Sequence, residues 1–120
     1  MNNMQKMRQS NSKARQFLKS AGFQNVHIVP HTRWSKDITI DGIGFDGVCT
    51  NACRLFFIQI KTNAWPPRDE YMSFVRIYGN PVLLINVKPS GVFADVIIAR
   101  GNVISCENVE TVEGVGWINV

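Results

Sequence analysis

Three polar side chains stand out from apolar surroundings: Asp46 in "GFDGV", and Gln59 and Lys61 at the end of "FFIQIKT". In an extended strand residues 59 and 61 point to one face, so the amide and the ammonium share a side. Asp46 precedes Gln59 by thirteen positions. With a turn centred near residues 52 and 53, antiparallel pairing sets the carboxylate directly across from the amide. A carboxylate oxygen, an amide oxygen and the Ile60 carbonyl form a set of hard ligands that suits Mg2+ or Mn2+. Lys61 would stand beside such a cation and steady negative charge developing on a reacting group.

The elements that must position these groups follow from periodicity. Met4, Met7, Asn11, Ala14, Phe17, Leu18 and Ala21 recur at spacings of three and four, which predicts an amphipathic helix ended by Gly22. "FQNVHIV" reads as a first strand, stopped by Pro30 and the polar loop "HTRWSK". "DITIDGIGFDGVC" alternates between glycines that mark turns or bulges. "RLFFIQIKT" is apolar on both faces, which puts it at the centre of a sheet covered on both sides. "WPPRDEYMSFVRIYG" opens on proline, carries Asp69 and Glu70 in its first turn and closes on Gly79, the pattern of a second helix. "PVLLINV" and "VFADVIIA" are two further strands joined through "KPSG", and the tail alternates weakly enough to add a short edge strand. The reading is one α/β (α+β) domain over residues 1–120, a mixed central sheet flanked by helices in the order α-β-β-β-α-β-β.

Charge is unevenly spread. Residues 1–36 hold seven basic side chains and no acid, whereas Glu107, Glu110 and Glu113 fall in the last twenty residues with nothing basic. This polarity implies one face attractive to phosphate. Lys13, Arg15 and Lys19 on the first helix are the candidate phosphate contacts, and Arg33 with Trp34, and Arg68 with Trp65, could flank a bound backbone from two loops. Asp37 and Asp41 are reserve metal ligands, although turn formation accounts for both. No apolar run is long enough for a membrane span and "MNNMQKMRQS" has no apolar signal core, so a soluble, unsecreted chain is expected. Three cysteines are too few for a disulfide framework, which suits a reducing cytoplasm. A zinc site from His27, His31, Cys49 and Cys53 is the competing metal reading, with a spacing that matches no common zinc motif.

A helix ending in "AGF", then "FDGV", "FFIQIKT", and a helix leading into "PVLLINV" together resemble the PD-(D/E)XK nuclease superfamily, and within it the minimal Holliday junction resolvase type. The resemblance covers most of residues 8–100 and implies a restriction-endonuclease-like core. By position Asp46 matches the motif Asp, Gln59 the motif Glu and Lys61 the motif Lys. Two positions depart from the pattern: Gln59 replaces the Glu, as in some restriction endonucleases of the superfamily, and Asn11 stands where resolvase-type helices carry a Glu. The implied activity is Mg2+- or Mn2+-dependent hydrolysis of DNA, branched DNA included, by a homodimer in a prokaryotic or phage setting. The alternative is a nuclease-fold module that binds nucleic acid without cutting it.

Overall fold

The computed structural model describes residues 3–30 and 38–109. Helix α1 (Asn3–Ser20) leads into β1 (Gln24–Ile28), and then come β2 (Ile38–Ile40), β3 (Ile43–Phe45), β4 (Gly47–Asn51) and β5 (Arg54–Thr62). Helix α2 (Arg68–Tyr78) follows, and β6 (Val82–Lys88), β7 (Gly91–Arg100) and β8 (Val103–Asn108) complete the described chain. Six strands form one mixed sheet in the order β1-β4-β5-β6-β7-β8, in which only β5 and β6 run parallel, connected by α2. The chain is thus an α+β fold with two helices on a mixed sheet.

The stretch expected as one interrupted strand before residue 50 is three. Asp41 and Gly42 both take positive φ, 51° and 77°, and close β2 against β3 as a separate two-stranded hairpin. After Phe45 the chain passes from that hairpin into the main sheet as β4. A second tight turn, at Ala52 (φ 52°) and Cys53 (φ 63°), pairs β4 with β5 in the expected register, Gly47 opposite Ile58 and Val48 opposite Phe57.

Alternation along β5 feeds two cores. Phe56, Ile58 and Ile60 pack under α1 with its Ala14 and Leu18, while Phe57 packs under α2 with Tyr71, Phe74 and Val75. On the α2 side Phe45 joins them, its ring centroid 4.8 Å from those of both Phe57 and Phe74. The β2–β3 hairpin is thereby anchored in the core one residue before Asp46, which limits how far that carboxylate can wander.

Candidate functional site

The site lies where β4 ends and β5 runs on. Gly47 is the first residue of β4, so among the described residues no residue of β4 pairs with Ile60. Asp46 takes over that role with its side chain: the Ile60 N–H donates to Asp46 Oδ2 at 2.8 Å, just beyond a backbone bond from Asp46 N–H to the Ile58 carbonyl at 2.7 Å. In a strand the N–H and C=O of one residue point to the same lateral side. The Ile60 carbonyl therefore faces the same side as its N–H, away from β6.

Gly47 makes this placement possible. A Cβ there would collide with the His27 carbonyl oxygen and stand 2.9 Å from Ile28 Cα, so β1 can cross at this point only over a glycine. That crossing lets the Val29 N–H bond the Asp46 carbonyl at 2.7 Å, which fixes the Asp46 backbone from the other side.

Gln59 lies beside Asp46. Two acceptors, Asp46 Oδ2 and the Gly44 carbonyl, face one end of its amide at 3.2 Å each, so that end is the NH2 and it donates to both. The Gly44 carbonyl also accepts from the Tyr71 hydroxyl at 3.3 Å. Burial, then the charges of Glu70 and Asp46, push the Tyr71 hydroxyl up to about 12, so it keeps its proton and remains a donor.

Asp46, Gln59, Ile60 and Lys61 line one cleft of about 300 Å³, roofed by Met7, Ser10 and Asn11 of α1. Asp46 (6% exposed) and Asn11 (9%) are buried, whereas Lys61 is exposed at the cleft's mouth. Asn11, the inward-facing helix residue, thus shares the space with the three strand residues. Ser10 and Thr62 share a hydrogen bond of 2.7 Å that ties α1 to the end of β5. Neither they nor Tyr71 and the Gly44 carbonyl carried a sequence signal, because their part depends on how helix and hairpin dock.

The other sequence candidates fall elsewhere. Lys13 lines a second cleft beside the first, while Arg15 and Lys19 are on the opposite flank of α1's buried stripe. Arg68 is committed to an ion pair with buried Asp95 at 2.8 Å and stands 5.9 Å over the Trp65 ring, so its first partner is the protein itself. Arg33, Trp34, His31 and Asp37 lie outside the described residues. Asp41 is at the exposed hairpin tip.

Cys49 is sealed in the α1-side core with its thiol pushed up to about 12 by burial, and Cys53 is exposed at the β4–β5 turn. Among the described residues no three His, Cys, Asp or Glu side chains converge on a metal-sized space, so no zinc cluster forms from them. Among the described residues Asp46 is the one carboxylate lining the cleft. Among the described residues, no helix is long and apolar enough to cross a membrane. Compared with families of known proteins, with curated proteins and with solved structures, the chain finds no match.

Proposed function

We propose that the chain is a metal-dependent endonuclease hydrolysing DNA phosphodiester bonds on a restriction-endonuclease-like core, with branched DNA of the Holliday junction kind as the first substrate to test. The observation that carries this reading is the convergence of Asp46, Gln59, the Ile60 backbone and Lys61 in one cleft open to solvent. Asp46 and the Ile60 carbonyl are hard oxygen donors on the same edge and fit a divalent cation. The Gln59 side-chain oxygen would join them only with the amide turned from its present donor orientation. Bound there, Mg2+ or Mn2+ supplies Lewis acidity toward a phosphoryl oxygen. Lys61 balances the charge that gathers on the phosphoryl group as the bond breaks, and Asn11 offers an uncharged donor and acceptor to the substrate or to water. One such site cuts one strand, and a homodimer supplies the second.

A single observation favours the alternative, a binding module without cleavage: Gln59 turns donors, not acceptors, toward Asp46. The two readings separate on one experiment. Purified protein is incubated with supercoiled plasmid and with a four-way junction in Mg2+ or Mn2+, beside Lys61→Ala and Gln59→Glu. Nicking by wild type, lost in Lys61→Ala and kept or raised in Gln59→Glu, supports the endonuclease. Equal behaviour of wild type and Lys61→Ala rejects catalysis at this cleft.

A further inference from the structure

Next to the candidate site is a second cleft, of about 250 Å³, between α1, the end of β5 and the β6–β7 turn. Three lysines line it, Lys6 and Lys13 from α1 and Lys88 from the end of β6, and no acid among the described residues does. Ser10 and Thr62 line both clefts, so their hydroxyl pair is the partition between the two spaces.

Two features say that this charge has a use. Lys6 and Lys13 are seven residues apart, two helical turns, and so lie on one flank of α1, which gives that flank a single sign of charge. The N-terminal half of α1 also goes against the helix dipole: its first turn holds no acid, and Lys6 stands near the end where positive charge is least welcome. Neither choice helps folding. Both help an anion, because several lysines give one cleft a single sign of charge. The Lys88 Nζ stands 5.4 Å from the centre of the Phe93 ring. Gln9 and Asn63 add amide donors.

We infer that this cleft seats the phosphates next to the one being attacked, so that a DNA backbone runs across the Ser10–Thr62 partition from the Lys6, Lys13 and Lys88 cleft into the Asp46 cleft. The inference rests on the proposed function for its substrate, but its residues are different and can be tested without cleavage. A polyanion explains an elongated pair of clefts better than a lone phosphate does, since only a chain of phosphates occupies both.

The experiment measures binding of a fluorescent DNA duplex in EDTA over a range of salt. Wild type is compared with Lys6→Ala/Lys88→Ala and with a control, Arg54→Ala/Arg76→Ala, that removes two cations remote from the cleft. Each lost phosphate contact lowers the slope of log K against log[salt] by about 0.9. The cleft pair should lower it by about 2 and the control should leave it unchanged. An unchanged slope in the cleft variant, an equal drop in the control, no DNA binding by wild type, or tighter binding of duplex RNA than DNA would each overturn the assignment. A wild type that binds with the expected slopes yet never cuts sinks the endonuclease reading and leaves this cleft standing.

Discussion

Gln59→Glu asks the most of the site's geometry. The substitution is nearly isosteric, but it replaces an NH2 that donates to Asp46 Oδ2 and the Gly44 carbonyl by an oxygen that faces both at 3.2 Å. Two unit charges at that separation repel by about 5 kcal/mol at an effective dielectric constant of about 20. The new carboxyl escapes part of this by taking up a proton. Holding it protonated at pH 7 costs at most about 3.7 kcal/mol, from about 1.36 kcal/mol for each pH unit above its ordinary ~4.3. Solvent reaching the half-buried side chain trims the figure, so a loss of about 2 to 4 kcal/mol is expected at pH 7 in EDTA. At about 4 °C per kcal/mol for a domain of this size, Tm falls by roughly 10 °C.

The pH dependence has a definite sign. The folded-state pKa of the new carboxyl lies above its unfolded value, so the loss is absent near pH 4, grows as pH rises and levels off above the folded pKa. A protonated carboxyl also restores one of the two donations. Mg2+ should reverse the loss, by about 2.7 kcal/mol at a hundredfold excess over Kd, and should stabilise wild type less. Thermal melts at pH 4.5 and 7.5, in EDTA and in Mg2+, give all four quantities. Wild-type stability at pH 7.5 in EDTA would refute the donating amide, and a destabilised variant that Mg2+ leaves unmoved would refute the cation.

Gly47→Ala forces β1 away from β4 and should cost about 3 kcal/mol in urea unfolding, with DNA cleavage lost together with stability as Asp46 shifts. Cys53→Gly removes a side chain from a positive φ of 63° in the β4–β5 turn and should raise stability by about 1 kcal/mol without changing the urea m-value. Arg68→Met leaves Asp95 buried without its partner, and burial already holds that carboxyl above its usual range against the pull of Arg68. The cost, about 2 kcal/mol at pH 7 because Arg68 is half exposed, should shrink as pH falls and Asp95 takes up a proton. Melts that show the same loss at pH 4.5 and at pH 7 would show that Asp95 is not the cause.

The parts of the fold governed by local pattern could be read from residues alone. Helix α1 followed from a three-and-four period, and the central place of β5 from apolar residues on both of its faces. The opposition of Asp46 and Gln59 needed only a turn near residue 52, although Ala52 and Cys53 are poor turn formers and enter left-handed backbone because the flanking strands hold them there. The separate β2–β3 hairpin was hidden, since three-residue strands are too short for alternation to reveal where one ends. So was the donor role of Gln59, because an amide offers both ends and only its neighbours decide which one turns inward. Lys88 was invisible as a binding group for a similar reason: its meeting with Lys6 is made by helix docking, not by sequence distance.

The carboxylate of Asp46 also covers a backbone donor at a strand margin. Where β4 stops, the bare margin of β5 would offer Ile60's backbone donor to any extended peptide that came by, and a side chain already holds that donor. Asp46→Ala, the obvious way to silence the site, would uncover a template for strand addition. Precipitation of that variant would then record intermolecular β-pairing, and Asp46→Asn, which keeps an oxygen for the Ile60 N–H, is the safer knockout.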